Sequence, residues 1–370
     1  LTKENYPLKM FPIYSIKYKI YNILEVGEEM KAIVWQGKGW VENVGRARPV
    51  EAIGEVLLRV ITAGICGTDL TIYQGKFDAT RSVPPLIPGH EICGVIEKIG
   101  EGVNGWNVGD RVAVDPLIPC GVCYACRHGV PHVCTSLKLL GVDRDGGFAE
   151  YVTVAAVRLH RLPAGISDVE GALVEPLAVA VHDVRLGGLA LGDTALVVGA
   201  GPIGLLIAMA ARAAGARRIA VSEFNDHRRS IAEGLGFPTY SPSNQDFRDC
   251  IRDEFDGIGP DIAFDATGSA AGYQSAIDCV RVRGRIVQVG IPKGPTEIDL
   301  RRMNFAELSI VGTRVYSPED ITGAIDLLEH KRVEAQKLAS VHSLEECGNL
   351  LAELSGGETK LMKPVLRIAG

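Results

Sequence analysis

Four cysteines fall within fifteen residues, as Cys120-x-x-Cys123-x-x-Cys126-x7-Cys134. Thiolates at this spacing wrap a single tetrahedral ion, and four of them leave no open coordination position. The loop is therefore predicted to hold a structural zinc that pins the chain rather than one that does chemistry. Iron–sulfur ligation uses related spacings, but Val133 and Thr135 flank Cys134 where a cysteine-proline pair would be expected. His128 and His132 of the same loop read as solvent-facing. The chain has nine cysteines. The odd count, with Cys66, Cys93, Cys250, Cys279 and Cys347 scattered, favours reduced thiols and bound metal over disulfides.

A second chemical signal is Gly199-Ala200-Gly201-Pro202-Ile203-Gly204, which follows an apolar run and opens an alanine-rich one. Gly199 permits a tight turn and Gly201 lets backbone approach a pyrophosphate. Pro202 and Ile203 begin the helix whose free amides face the phosphates, and Gly204 lets that helix pack on the strand. Glu223, at the end of the next predicted strand, is spaced to accept the adenosine ribose hydroxyls. Its charge would repel a 2′-phosphate, which favours NAD over NADP. Arg228, beside Arg229, could instead meet that phosphate or lie over the adenine. Cys66, in Gly64-Ile65-Cys66-Gly67-Thr68-Asp69, and His90-Glu91 are uninformative alone, because an isolated cysteine or histidine is more often packed than liganding.

The elements that must position these residues divide in two. From Met30 to about Glu175, short Val/Ile-rich runs broken by glycine and proline predict a curled antiparallel sheet or partial barrel. After Pro176, strands 195–198, 218–221, 261–265 and 285–290 alternate with helices, which implies crossover units and a parallel sheet. A final strand, 363–368, has no place in that alternation and is expected to return to the first unit. The resulting division is an extension over 1–29, a catalytic domain over 30–178 and 315–370, and a nucleotide domain over 179–314. A chain of 370 residues readily supports two cores. The extension lacks the apolar run and cleavage site of a secretory signal.

Several motifs, in this order and spacing, resemble the medium-chain zinc-containing alcohol dehydrogenases from about Met30 to Ile368. They are Cys66-Gly67-Thr68-Asp69, Gly89-His90-Glu91, the four-cysteine loop, Gly171 to Ala178 and the glycine turn. The likeness is to the polyol branch, with its sorbitol, butanediol and threonine dehydrogenases. It implies an α/β plus β fold, a GroES-like catalytic domain with an inserted Rossmann nucleotide-binding domain. It also implies two zinc ions per chain, one catalytic and one structural. Cys66 and His90 would be ligands of the catalytic zinc, with Glu175 where ethanol-type members carry cysteine. Glu91 would ligate directly or move on and off the ion. Asp69 would receive the other ring N–H of His90, and Thr68 would be the first proton relay. Thr71 stands where many relatives have a histidine that passes the proton to solvent, leaving the cofactor ribose or Tyr73 for that step. Thr267, Val289 and Gly290 would border the nicotinamide. Tyr316 stands either at the cleft or on a surface loop, and His182 reads as a packed side chain.

The expected reaction is oxidation of a secondary alcohol (a polyol, a vicinal diol or an L-threonine-like substrate) to a ketone, with hydride transfer to NAD. The alternatives are a sugar 1-dehydrogenase yielding a lactone and a non-catalytic NAD-binding homologue. A net charge of −6 gives no basic excess for nucleic acid. Apolar runs such as Thr194 to Ala214 are interrupted by glycine and proline, against a membrane span. A cytoplasmic enzyme is expected, and the resemblance implies a homodimer or homotetramer.

Overall fold

The computed structural model describes residues 28–357 and 359–369, so residues 1–27 of the expected extension lie outside the described part. The first sheet is built around strand Glu55–Gly64, which pairs antiparallel with Glu91–Ile99, Tyr151–Ala155 and Lys363–Arg367. Arg111–Val114 and Leu159–Arg161 extend it beyond Glu91–Ile99. Register shifts at Leu57/Leu58 and Val60/Thr62 insert bulges, which bend a strand and increase its twist. The inward residues Val56, Leu58, Val60, Ile92, Ile96 and Phe148 are fully buried. This is the curled antiparallel sheet that the short Val/Ile-rich runs predict.

The second sheet has six parallel strands in the order Thr239–Tyr240, Arg218–Ser222, Thr194–Val198, Ile262–Asp265, Arg285–Gln288 and Ser309–Gly312. Thr194–Val198 is buried at every residue, as expected of a strand covered on both faces. The order reverses on either side of it, so ligands are expected outside its carboxyl end, where the crevice of a doubly wound sheet lies. The Rossmann and GroES-like architectures read from the sequence are thus both present.

One helix, Asp168–Leu186, joins the two sheets. Ser167 and Glu170 form a capping box at its start, satisfying two amides that the first turn leaves free. The helix runs unbroken across the expected 178/179 boundary, with Pro176 inside it. A Cβ on Gly171 would lie 2.6 Å from the Cys93 sulfur, so that glycine sets how closely the helix approaches strand Glu91–Ile99. Leu173 and Leu177 share one continuous core with Cys93 of the first sheet, Val197 of the second and Leu206 of the helix Pro202–Ala213. Glu175 is therefore carried on a rigid element packed against both halves. No helix among the described residues is long and apolar enough to cross a membrane.

Candidate active site

Strand Glu55–Gly64 ends in a turn whose Cys66 caps the short helix Gly67–Tyr73. Glu91 opens the neighbouring strand Glu91–Ile99, with His90 immediately before it. One carboxylate ties these segments together: Asp69 accepts from the amide of Cys66 at 2.8 Å and from that of Gly89 at 3.2 Å. The result brings ligand atoms of Cys66, His90 and Glu91 within 4.8 Å of one another. His90 and Glu91 are 3% and 1% exposed, a degree of burial that unpaired polar groups do not tolerate without a partner or an ion. The Asp69 contact with His90 is looser than expected. Its carboxylate lies 3.6 Å from Nδ1, and Nδ1 has no hydrogen-bond partner. Burial disfavours charge on His90, but Asp69 and Cys66 outweigh it and hold the imidazole well above its ordinary pKa.

Glu175 lies outside that tight cluster but faces it. Burial pushes its carboxyl up to about 7, with His90 pulling it down and Glu91 pushing it further up. Tyr316 is 1% exposed, which decides between its two sequence readings in favour of the interior. Burial and the adjacent Glu175 raise its hydroxyl well above the usual range, and that hydroxyl lacks a hydrogen-bond partner. Thr68 occupies the first turn of the Gly67–Tyr73 helix. The Thr71 hydroxyl donates to the Gly67 carbonyl at 2.9 Å, which commits its proton to the helix backbone. His182 is buried and hydrogen-bonded to Asp320 at 2.8 Å, as a packed histidine should be. His132 departs from its expected solvent-facing position: it is half-buried, with its ring edge-on to His182 at 5.1 Å. His128 remains exposed and stacks on Tyr124.

Sequence reasoning missed Lys363. The residue is 3% exposed at the start of the last strand, and its ammonium donates to Glu91 and to the Ile65 carbonyl. Its only trace in the sequence is a lysine at the head of a short strand whose centre, Pro364-Val365-Leu366, is apolar.

The four-cysteine loop forms a separate cluster with all sulfurs within 4.8 Å. Cys123 and Cys126 stand 3.5 Å apart and Cys120 and Cys126 4.0 Å, bracketing the ~3.8 Å that tetrahedral Zn–S bonds require. Amides of Cys120 and Ser136 each point at the Cys134 sulfur from 3.3 Å, and amides of Cys126 and Thr135 pull the Cys123 thiol down to about 5. Amides directed at sulfur stabilise thiolates, the form that binds metal. Both clusters fit zinc: one is a closed set of thiolates, the other a largely buried mixed set of thiol, imidazole and carboxylate.

At the glycine turn, Gly199 has φ +101°, a conformation costly for any other residue. A Cβ on Gly204 would fall 1.9 Å from the Gly199 carbonyl, whereas one on Gly201 would meet nothing. Gly204 therefore serves packing, while Gly201, capping the helix that Pro202 and Ile203 open, leaves an open face. The Glu223 carboxylate accepts from Ala200 and Asn225 amides, each at 2.9 Å, and retains lone pairs for further donors. The Arg228 guanidinium stands 4.0 Å from it. Thr267 crowds Gly199 closely enough that a Cβ there would meet its methyl at 2.9 Å. Val289 and Gly290 amides both bond to the Asp265 carbonyl, so these residues gather at the carboxyl ends of adjacent strands.

A fold that carries a largely buried Cys/His/Glu cluster, a dinucleotide turn and a separate four-thiolate lobe defines a zinc- and nicotinamide-dependent oxidoreductase. Residues 52–164 match the alcohol dehydrogenase GroES-like domain, and residues 202–330 match the zinc-binding dehydrogenase domain. The chain belongs to the medium-chain zinc-dependent alcohol/polyol dehydrogenase family. It is similar to 2-dehydro-3-deoxy-L-galactonate 5-dehydrogenase of Pseudoalteromonas atlantica, at 43% identity over 82% of this chain and 89% of the relative. It is also similar to L-threonine 3-dehydrogenase of Pyrococcus horikoshii, at 39% identity over 78% of this chain and 83% of that one. Among solved structures, 2R,3R-butanediol dehydrogenase from Bacillus subtilis matches with a TM-score of 0.83 and 32% identity, over 91% of this chain and 99% of that one. The reaction of this family member is oxidation of a secondary alcohol to a ketone.

Proposed function

We propose that the chain oxidises a secondary hydroxyl of a polyhydroxylated substrate, with a sugar acid as the first candidate, and passes the hydride to NAD in preference to NADP. The convergence of Cys66, His90 and Glu91 in a buried cluster carries this reading. Cys66 and His90 would hold the catalytic zinc, with Glu91 and Glu175 as its carboxylate partners, and Cys120, Cys123, Cys126 and Cys134 the structural one. A zinc in the first site would act as a Lewis acid, lowering the pKa of the substrate hydroxyl.

The protein's own groups do the rest. Asp69 fixes the two ligand segments through their amides. Thr68 accepts the hydroxyl proton at Oγ1 and passes it outward, since a hydroxyl can donate and accept at once. The carbinol carbon would give up a hydride to a bound nicotinamide and its oxygen a proton, so that two electrons would leave the substrate and a ketone would result. Thr267, Val289 and Gly290 would border the nicotinamide, while Gly199, Gly201, Pro202, Ile203 and Gly204 would hold the pyrophosphate. Glu223 would bind the ribose and Arg228 would flank the adenine end. Residues 30–178 and 315–370 act as the catalytic domain and 179–314 as the nucleotide domain.

The sugar-acid preference draws on the P. atlantica relative's name, which specifies oxidation at carbon 5 of such an acid. A homodimer or homotetramer is supported by the edge strand Ser309–Gly312, three of whose four residues are exposed, since unpaired edges invite a second chain. The free thiols fit a reducing compartment such as the cytoplasm.

The test is turnover of zinc-replete protein on aldonic acids, polyols and L-threonine, with NAD and NADP in parallel and products identified. Ketone formation from a secondary alcohol with NAD is expected. Lactone as the sole product, or no zinc-dependent turnover on any alcohol, would overturn the reading.

A further inference from the structure

The buried pair Lys363–Glu91 belongs to no step described so far, yet a lysine so deeply enclosed is rare without a specific partner. Its surroundings come from three adjacent strands. Gly64 lies opposite Glu91 on one side and Val365 on the other, and Lys363 precedes Val365 by two residues, on the same face. The ammonium bonds to Glu91 Oε1 and to the Ile65 carbonyl. Glu91 Oε2 is buried without any partner, and a Cβ on Gly64 would sit 2.0 Å from it. One oxygen is therefore anchored, and the other has room only because residue 64 lacks a side chain.

We infer that Lys363 and Gly64 form a cradle that commits Glu91 Oε1 to the ammonium and leaves Oε2 alone to face the metal cluster. Lys363 is thus a positioning residue for the metal site. This rests on the reading of Cys66, His90 and Glu91 as zinc-binding groups. The cradle acts as groups behind metal ligands generally do, by fixing orientation, and loss of such a group typically costs about 10–100-fold in metal affinity. Charge balance alone would make a different demand, because a lysine that merely neutralised Glu91 would leave metal binding indifferent to Gly64.

The test measures zinc affinity of the Cys66 site by competition with a chromophoric chelator, and the ligand-field spectrum of the cobalt-substituted protein. The variants are Lys363→Met, Lys363→Arg and Gly64→Ala, each with an intact four-cysteine lobe. Lys363→Met and Gly64→Ala are both expected to weaken zinc binding about 10–100-fold and to alter the cobalt bands, with NAD affinity unchanged. Lys363→Arg is expected to recover much of the loss. A folded, NAD-binding Lys363→Met protein with wild-type affinity and spectrum would overturn the proposal. If that variant does not fold, unaltered metal binding in Gly64→Ala would do so. Failure of the wild type itself to bind metal at Cys66 would overturn the underlying assignment and the proposal with it, whereas tight wild-type binding isolates the cradle as the point at fault.

Discussion

Replacing Asp183 by asparagine should stabilise the protein in alkaline solution and much less in acid. The residue sits on the helix that joins the two sheets, 1% exposed, and its Oδ2 has no partner. Burial raises its carboxyl from 3.8 to about 7, with the neighbouring Thr313 hydroxyl offsetting only part of the effect. In the unfolded chain the group titrates near 3.8. Stability conferred by the neutral acid is thus complete below about pH 4 and is lost as pH rises through 7. That interval corresponds to at most about 4 kcal/mol. Asparagine has nearly the same shape and no charge, so its advantage should grow over the same interval. Between about pH 5 and about pH 8.5 the gain should increase by roughly 2–3 kcal/mol, or about 3–4 °C in melting temperature for a chain of this size. Thermal melts of both proteins across that range provide the assay. An advantage that does not change with pH, or a loss at alkaline pH, would refute the assignment of a buried, poorly satisfied carboxyl.

The remaining predictions concern the cofactor and metal sites. Gly199→Ala forces a side chain onto a φ of +101° and against the Thr267 methyl; NADH titration should find binding weakened by about tenfold or more, corresponding to strain of ~1–2 kcal/mol. Glu223→Ser removes the carboxylate proposed to bind the ribose, so steady-state kinetics should find NADP use rising relative to NAD by about tenfold. Cys134→Ser replaces the buried member of the four-thiolate set. Metal analysis should then find one zinc fewer per chain, and limited proteolysis should find new cleavage around residues 120–134.

Much of the fold was legible because its periodicities are local. The alternation of strands and helices from Thr194 to Gly312 and the short runs before Glu175 each announce their own sheet. The glycine turn and the four-cysteine loop were equally legible, since every participant lies within a few residues of the others. Cys66 and His90 were different. Separated by the helix Gly67–Tyr73 and a long loop, they carried meaning only through resemblance, and it took the register of Glu55–Gly64 against Glu91–Ile99 to bring them together. Lys363 lies 272 residues from Glu91, and no local pattern marks a lysine that a strand pairing turns inward. The same holds for Tyr316 and His132, whose burial depends on packing near the Asp168–Leu186 helix rather than on their neighbours in sequence. The loose Asp69–His90 contact was also invisible, because a motif fixes which residues are present and not the distance between their atoms.

The most direct test of the zinc-centred account is metal content measured alongside turnover in the wild type and in Cys66→Ser. The wild type is expected to hold two zinc ions per chain. The variant is expected to hold one, with turnover reduced by at least about a hundredfold and NAD affinity little changed. A variant that kept both ions and near-full turnover would contradict the zinc-centred account.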